Sequence, residues 1–383
     1  MTVPAFPSPR LAITTVFVSF GFAIGALAGS MPTVMRNAGI GTETFGLGLT
    51  ISTVLTVAAM SVGGQIARYA SNRAVLLGIL PVFALSLGAY LTAASPLWFF
   101  ITIPIMGICF GITDLFMNAE AVALEHDLKR PIFMTFHGCV SAGVGVMAVS
   151  ASWLATGWGT WAVAAVAALG FAIAWLGVQR AVAPRPLAAG KAARMATLPN
   201  KAPLMLLGIA AGLIIAAETA ALLWSAKLLD EIAPSLAAIA GLGAAFFGLC
   251  NAAVRFPGDR MRSLLGELPL MFGSLIIAIC GFLALGLSNS FAVSVAAFAS
   301  VGFGLALLIP TIFAMSARLV PENRAGALSF VSLLTAVPRI MAPLAFGMVA
   351  ARMGIAFAFG LVAVGLLASL GMILTFQRKG HGA

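Results

Sequence analysis

Long apolar runs separated by short polar stretches make up almost the whole chain. Each run is close to the roughly 20 residues that a helix needs to cross the hydrocarbon core of a bilayer. The runs are too long and continuous for barrel strands, and helices and closed barrels are the only structures that span lipid. The pattern therefore predicts twelve membrane-spanning helices, at residues 11–34, 44–67, 74–94, 97–122, 131–154, 159–178, 202–226, 233–254, 266–287, 291–316, 325–349 and 354–377.

Composition supports the same interpretation. Hydrophobic residues make up 61% of the 383 residues and charged residues only 8%, whereas about a quarter of a typical soluble domain is charged. A folded globule could not hide so much apolar surface from water. The net charge of +10 does not indicate nucleic-acid binding, because the charges lie in short clusters between the runs and form no single basic patch. We therefore predict an all-α membrane protein whose surroundings are the lipid bilayer, with no nucleic-acid partner.

Lysine and arginine are unequally divided between the two sets of loops. Of the 21 such residues, 17 lie on the side of the two termini, three (Arg36, Lys227 and Arg352) lie on the other side, and Arg339 lies inside a span. Because loops rich in positive charge stay in the cytoplasm, we predict a multi-pass protein of the bacterial inner membrane with both termini cytoplasmic. Four tryptophans, Trp224 among them, fall at predicted outer helix ends, where such rings favour the membrane interface.

The stretch 179–201, between the sixth and seventh runs, is basic, rich in proline and alanine, and without apolar periodicity. It is typical of a flexible linker. The prediction is a six-helix bundle of residues 1–178, a cytoplasmic linker of residues 179–201, and a second six-helix bundle of residues 202–383. The halves also resemble each other, because 129–136 before the fifth run is similar to 323–330 before the eleventh.

Short motifs in the expected order strengthen this layout. They are Gly25…Gly29-Ser-Met-Pro32, Gly-x-x-Asp114-x-x-x-Asn118…Glu125, Phe136-His137-Gly138-x-x-Ser141-x-Gly143, Glu218 with Trp224, and Arg255-x-x-Gly-Asp259-Arg260. Over its whole length the chain resembles the major facilitator superfamily, and the motifs resemble its fucose-permease-like branch, often named after rhizopine transport proteins. The resemblance implies two pseudo-symmetric six-helix bundles that rock about a substrate site near the midplane of the membrane.

Asp114 and Asn118 lie four residues apart in the fourth run and so share one face of a helix. A carboxylate near the middle of a membrane helix is costly and points to function. Sugar–proton symporters of the resembled group carry an acid four residues before an asparagine in this helix, which implies that Asp114 is a proton carrier. The alternative is a structural carboxylate bonded to a neighbouring helix. Asn118 is expected to bind substrate or to bridge two helices.

Three other polar residues lie inside predicted spans. Glu218 is expected to take part in proton coupling and substrate binding, or to pair with Arg339. His137 is a candidate for the proton pathway because histidine titrates near neutral pH, and its alternative is a hydrogen bond between helices. Arg339 interrupts a span that is usually rich in glycine and proline in the resembled branch. It cannot lose its charge, so its partner must be Asp114, Glu218 or an anionic substrate group.

Four charged residues near the predicted helix ends are given structural roles. Arg255, Asp259 and Arg260 are expected to form a charge cluster between helices that stabilises one conformation without contacting substrate. Glu120 is expected to pair with an arginine of a loop. In the loop after the second span, Arg68 follows Ala67 where the resembled superfamily has an acidic residue, which weakens the prediction of a conformational latch there.

No phosphate-binding GxxxxGK[ST] motif, nucleophile elbow, HExxH motif or paired-cysteine spacing is present in the sequence. We therefore expect no cofactor, no metal and no enzyme activity. The prediction is a monomeric secondary transporter that moves a small polar solute together with protons by alternating access. The solute is a sugar, a polyol or amino-polyol, or an organic anion. The alternatives are an exporter of drugs or metabolites by proton antiport, and a membrane sensor that does not transport.

Overall fold

The computed structural model describes residues 8–130, 132–184, 198 and 201–380, without the side chains of Asp259 and Lys379. Two short 3₁₀ segments, Pro234–Ile239 and Pro321–Asn323, accompany the α-helices of these ranges. The helices are α1 Pro9–Ala38, α2 Thr42–Ile66, α3 Asn72–Leu91, α4 Pro96–Leu128, α5 Phe133–Gly157, α6 Thr160–Ala181, α7 Ala202–Ile232, α8 Leu242–Arg255, α9 Gly258–Leu265, α10 Glu267–Leu287, α11 Phe291–Leu305, α12 Leu308–Leu319, α13 Arg324–Met353 and α14 Ile355–Gly380.

Twelve segments of the described chain are long and apolar enough to cross a membrane, which confirms the predicted all-α class and the twelve transmembrane helices. The eighth segment begins with the 3₁₀ turn Pro234–Ile239 before α8, and the tenth is divided into α11 and α12. Short loops join most consecutive helices, so these run in opposite directions. We call the face at which α1 begins and α14 ends the terminal face, and the other the opposite face.

The helices pack in two groups that meet along three contacts. In the first half α1 packs on α5 and α6, α2 packs on α4, and α3 packs on α4 and α6. In the second half α7 packs on α13 and α14, α8 packs on α11, and α10 packs on α11 and α14. Contacts between the halves join α5 to α8, α2 to α13 and α1 to α7.

Small residues, the glycines Gly21, Gly25 and Gly29 of α1, bring α1 and α5 into backbone contact. A Cβ atom at Gly25 would lie 2.6 Å from the backbone oxygen of Val144, and the other two glycines face α5 backbone oxygens at still closer range. Such close approach is how membrane helices associate without a hydrophobic driving force. These three glycines therefore form a packing surface of the first half.

The division of the tenth span has a cause in the sequence. Proline has no N–H, so Pro310 cannot donate a hydrogen bond to the carbonyl oxygen four residues before it, that of Ala306. Ala306 lies at the break between α11 and α12. The oxygen of Ala306 instead accepts a hydrogen bond from Nε of Arg255, at 3.2 Å. The break in one helix thereby anchors the side chain of another.

Trp224 does not lie at the membrane interface. Its side chain is buried, 1% exposed, and its ring lies 5.5 Å from that of Phe45 in α2 and 5.0 Å from that of Phe346 in α13. The expectation of an interfacial ring was wrong here because an aromatic side chain at a helix end can also fill the contact between two bundles. The three other tryptophans with the same expectation, Trp98, Trp158 and Trp161, are exposed.

Candidate functional site

A cavity of about 200 Å³ lies between the two halves. Helices α1, α2 and α4 of the first half and α7 and α13 of the second half contribute to its wall. Most of the wall is apolar, with three threonines, one serine and a single charged residue, Arg339. The lining residues are Ile24, Leu27, Leu49, Ser52, Thr53, Thr56, Met106, Phe110, Thr219, Leu222, Leu223 and Arg339.

The hydroxyl-bearing side of this cavity is held in place by glycines of α4. Gly107 and Gly111 contact the backbone of Ser52 and Thr56 so closely that a Cβ atom on either glycine would overlap it. The hydroxyl of Thr56 also donates to the carbonyl oxygen of Gly107, at 2.9 Å. The contact between α2 and α4 therefore fixes the position of the polar wall.

Arg339 reaches the cavity from a part of α13 that contains two prolines. Pro338 and Pro343 both lie inside this helix, and Pro343 leaves the carbonyl of Arg339 without its usual helix donor. Within the part of the chain that the structure describes, no carboxylate oxygen lies within 4.0 Å of the guanidinium of Arg339. Its charge nevertheless acts through space on both Asp114 and Glu218. The sequence predicts Asp114, Glu218 or an anionic substrate group as the partner of Arg339. Among the described residues, Arg339 forms an ion pair with neither of the two acids.

Asp114 lies near the middle of α4 and is half-buried. Its partner is Asn118, one turn along the same helix, whose Nδ2 donates to Asp114 Oδ1 at 2.9 Å and to the Asp114 carbonyl oxygen at 2.8 Å. Asn118 thus binds its own helix, and among the described residues it forms no hydrogen bond to another helix. Its Oδ1 is buried and has no hydrogen-bond partner among the described residues. An orphaned buried acceptor of this kind needs an explanation.

Glu218 pairs with Arg255 and not with Arg339. Arg255 Nη2 lies 3.1 Å from Glu218 Oε1, and the two side chains are 16% and 19% exposed. Arg255 Nη1 also donates to Ser141 Oγ of α5, at 3.1 Å. Asn251 of α8 joins the same group, because its Oδ1 accepts from Ser141 at 3.3 Å and its Nδ2 lies 3.5 Å from Glu218 Oε1. This network connects the second half to the first.

His137 lies one turn before Ser141, near the start of α5. Its ring is 5.7 Å from the ring of Phe17 and 4.8 Å from that of Phe133. The charge of Arg255 acts on it through space. The structure therefore brings His137 close to the Arg255 network. Among the described residues, no hydrogen bond joins His137 to Asp114.

Of the expected cluster of Arg255, Asp259 and Arg260, the structure describes the side chains of the two arginines. Arg255 ends α8 and turns inward to Glu218, whereas Arg260 lies on the short helix α9 and is exposed. The side chain of Asp259 lies outside the described part of the chain. The backbone oxygen of Ala306 and the carboxylate of Glu218 both bind the Arg255 guanidinium, and the clustering of the three residues stays a prediction.

Another charge cluster lies at the terminal face of the second half. The carboxylate of Glu267, at the start of α10, binds Arg262 of α9 at 3.2 Å and also binds Arg318 of α12. Among the described residues, the cluster connects α9, α10 and α12 of the second half. It fixes the end of that bundle.

Two acids of α4 close to the terminal face have structural partners. Glu120 is buried and accepts a hydrogen bond from Asn72 of α3 at 3.1 Å, so its expected pairing with a loop arginine was wrong. Glu125 Oε2 accepts from the backbone N–H groups of Ile132 and Phe133, at 2.8 and 2.7 Å. These contacts satisfy free donors at the start of α5, as capping carboxylates do.

The halves are tied together near the opposite face. Arg36 at the end of α1 forms an ion pair with Asp230 at the end of α7, with 2.8 Å between Nη1 and Oδ2. Deeper in the contact, the hydroxyl of Thr50 donates to the Ile340 carbonyl oxygen at 3.2 Å and accepts from the Leu344 N–H at 3.1 Å. Ile340 and Leu344 are four apart in α13, so Thr50 of one half is inserted into the helical hydrogen bonding of the other.

Comparison with solved structures identifies the fold. Two of the similar structures are a mutant of the nucleoside transporter NupG, with a TM-score of 0.76, and a D-xylose–proton symporter, with a TM-score of 0.75. Each is 15% identical to this chain. The alignments cover 97% of this chain and 99% of the NupG chain, and 94% and 96% of the symporter pair. At this identity the likeness establishes the fold alone, which is that of the major facilitator superfamily.

Curated relatives extend over nearly the whole chain. An uncharacterized MFS-type transporter of Yersinia pestis is 28% identical, with 94% of each chain covered. Over nearly its whole length the chain is similar to transporters of the major facilitator superfamily. It is also 27% identical to the membrane protein MosC of Rhizobium meliloti, with 98% of this chain and 93% of that protein covered. No family model matches the sequence.

Some residues of the site went unnoticed in the sequence. Asn251 and Pro310 each lie inside an apolar run, so both were visible as departures from the pattern. Ser141 stood in a quoted motif without a role. Thr50 gave no signal, because a threonine in a membrane helix is ordinary and its partner lies in the other half of the transporter.

Proposed function

We propose that the protein moves a small polar solute together with protons, by alternating access between two bundles of residues 1–178 and 202–383 joined by the linker 179–201. Asp114 is the proton carrier in this proposal. The observation that carries it is a half-buried carboxylate in the middle of a membrane helix whose hydrogen-bond partner is an amide of the same helix. No cation lies within 4.0 Å of it in the described chain.

The surroundings of Asp114 favour a group that gains and loses a proton. An ion-paired acid loses the attraction of its cation on protonation, and Asp114 has no such pair to lose. Asn118 can remain bonded to either form, since an amide donates to a carboxylate and accepts from a carboxylic acid. Arg339 attracts Asp114 only through space. Protonation of Asp114 therefore weakens this attraction without breaking a direct contact.

Glu218 takes a second role in the proposal. It is already neutralised by Arg255, and protonation would leave that cation without its partner, which is costly in a buried setting. Because Arg255 also binds Ser141 of the first half, the state of Glu218 is linked to the contact between the halves. We assign to Glu218 and Arg255 the control of that contact, and to His137 a place on the proton path from the terminal face.

The contacts between the halves support a direction for alternating access. Arg36 with Asp230 and Thr50 with α13 both join the halves near the opposite face. We propose that the terminal face is cytoplasmic, in agreement with the excess of arginine and lysine there, and that these contacts close the site to the outside. Rocking of the bundles would break both contacts and open the cavity outward.

The cavity favours a small polar solute over the cargo of a drug exporter. Its lining includes one aromatic ring, Phe110, together with hydroxyl groups and a guanidinium. Asn118, with its unpartnered buried Oδ1, is a further candidate to bind a donor group of the solute. The hydroxyl groups and the single guanidinium on an apolar wall suit the recognition of a small molecule.

Reconstituted protein tests the proposal. Proteoliposomes with an inward proton gradient are supplied with labelled hexoses, inositols and monocarboxylates, with and without a protonophore. The wild type should accumulate at least one solute above equilibrium, and the protonophore should abolish the excess. Asp114→Asn should lose uphill accumulation and keep exchange of internal for external solute. Glu43→Gln, an exposed acid of the same half, is the control and should behave as the wild type.

Two results would refute this assignment. Full uphill accumulation by Asp114→Asn would remove Asp114 from proton coupling. The absence of any flux in the wild type, with an intact signalling response in cells, would favour a membrane sensor. Extrusion of solute from cells along with proton entry would keep the coupling and reverse the direction.

A further inference from the structure

Arg339 is the charged residue of the cavity wall, and the proposed proton cycle gives it no ion-pair partner. The guanidinium remains charged at any accessible pH, and it lines a mostly apolar cavity inside the membrane. An uncompensated charge in such a place is costly and is found where it serves a function. We infer that the transported solute is a small monocarboxylate whose carboxylate binds Arg339. The inference rests on the proposed transport function and names its substrate class.

The acids of the protein do not occupy Arg339. Glu218 is bound to Arg255 and lies beside Asn251. Asp114 is held by Asn118 on its own helix. Neither forms an ion pair with Arg339 in the part of the chain that the structure describes. The guanidinium is therefore free to present its parallel N–H groups to an oxygen pair of a ligand, the geometry in which arginine binds carboxylates.

The cavity wall has one positive charge, that of Arg339, so it can balance a solute with one negative charge. Arg255 is bound to Glu218, Ser141 and the Ala306 carbonyl. It is also absent from the cavity wall, where Arg339 is the charged residue. A phosphate or dicarboxylate dianion would bring a second negative charge with no cation to balance it. A monocarboxylate leaves the site neutral.

The other residues of the cavity wall indicate what chemistry the rest of the solute should have. Seven lining residues are apolar, and they are Ile24, Leu27, Leu49, Met106, Phe110, Leu222 and Leu223. The hydroxyls of Thr53, Thr56 and Thr219 donate to backbone carbonyl oxygens, so their free lone pairs accept hydrogen bonds. A compact, largely apolar body that carries a hydroxyl group fits this wall. A sugar or inositol, with donors on every side, would leave several of them against apolar side chains, which is costly.

Proton and solute binding are connected through Arg339. When Asp114 is ionised, its charge attracts Arg339 through space. When Asp114 takes up a proton, that attraction ends and the positive charge of Arg339 remains for the carboxylate. One proton and one monocarboxylate together carry no net charge, so their joint passage is electrically neutral. A neutral polyol carried with one proton would instead move one positive charge.

A binding experiment tests the substrate class directly. The thermal unfolding midpoint of the purified protein is measured with C4–C8 monocarboxylates and their hydroxy derivatives, each beside its primary amide, and with hexoses and inositols. A carboxylate should raise the midpoint by about 2 °C or more at saturation, since a ligand that binds the native state stabilises it, and its amide should not. Arg339→Gln should lose the shift. Arg352→Gln, an exposed arginine of the same helix, should keep it.

A result in which no carboxylate stabilises the protein more than its amide overturns the inference. Equal stabilisation of Arg339→Gln and the wild type by a carboxylate also overturns it. Uptake driven by a potassium diffusion potential gives a second readout. Monocarboxylate transport should respond to the pH gradient and not to the potential. Proton-driven, potential-dependent uptake of a neutral polyol would reject the substrate class while leaving the proton-coupled transport of the previous section intact.

Discussion

Arg255 Nη2 lies 3.1 Å from Glu218 Oε1, and the same guanidinium donates to Ser141 of the other half and to the free carbonyl of Ala306. One side chain thus joins a membrane acid, a broken helix and the contact between the bundles. The broken helix follows from Pro310, which cannot donate to Ala306. The break at Ala306 in the tenth span therefore helps to hold Arg255 beside Glu218 of the seventh span.

Removal of either partner of this pair should destabilise the protein strongly. Glu218→Gln or Arg255→Gln leaves one largely buried charge without its partner, a loss of about 3–5 kcal/mol in comparable pairs. The double variant should lose less than the sum of the two, because neither charge then remains. The unfolding midpoint in detergent is the measurement, and Arg260→Gln on exposed α9 should leave it unchanged. Strictly additive losses would show that the two residues do not act as a pair.

Removal of the Thr50 hydroxyl should open the site toward the opposite face. Thr50→Val keeps the shape of the side chain and removes two hydrogen bonds to α13. At about 1 kcal/mol for each bond, the balance between closed and open states should move by about tenfold or more. The measurement is the rate at which an impermeant maleimide, added from that face, labels a cysteine placed at Leu223 in a cysteine-free background.

The control for this variant lies on the same helix. The hydroxyl of Ser61 donates to Val57 of its own helix and is exposed, so Ser61→Ala should label at the rate of the parent. Unchanged labelling of Thr50→Val would show that its insertion into α13 does not hold the halves together.

Replacement of His137 should slow transport without uncoupling it. The ring lies near the terminal face, beside Phe17 and Phe133 and within reach of the field of Arg255. His137→Gln removes an imidazole, which can both accept and donate a proton, so proton movement on this path should slow by roughly 2- to 10-fold, less than the full effect of a general acid or base. Initial rates of uptake measure this, and the final accumulation should be unchanged. Loss of accumulation would instead make His137 part of the coupling itself.

The fold could be predicted from the sequence because lipid leaves few choices. Apolar runs of sufficient length must be helices in a membrane, and glycines such as Gly25 at four-residue spacing indicate a close helix contact. The polar residues inside the runs, Asp114, Glu218 and Arg339, stood out for the same reason. Placing a charged side chain in lipid costs free energy, so such residues inside an apolar run indicate a function.

The pairing of these residues could not be predicted. Glu218 had two arginines within reach, and the choice of Arg255 depends on the free carbonyl of Ala306 and on the approach of Ser141 from α5. Trp224 illustrates the same limit, since a ring at a helix end suits both an interface with lipid and a contact between bundles. Which one it occupies depends on how the halves meet, and no local pattern contains that information.

Asp114 as the proton carrier is the central claim, and proton flux measured together with solute flux tests it most directly. Proteoliposomes that contain a pH-sensitive dye are supplied with a labelled solute that the wild type accumulates, and proton entry and solute entry are recorded in the same vesicles. The wild type should take up protons in a fixed ratio to solute. Asp114→Asn should exchange solute with no proton entry above that of empty vesicles, whereas solute-dependent proton entry by Asp114→Asn at the wild-type ratio would contradict the account.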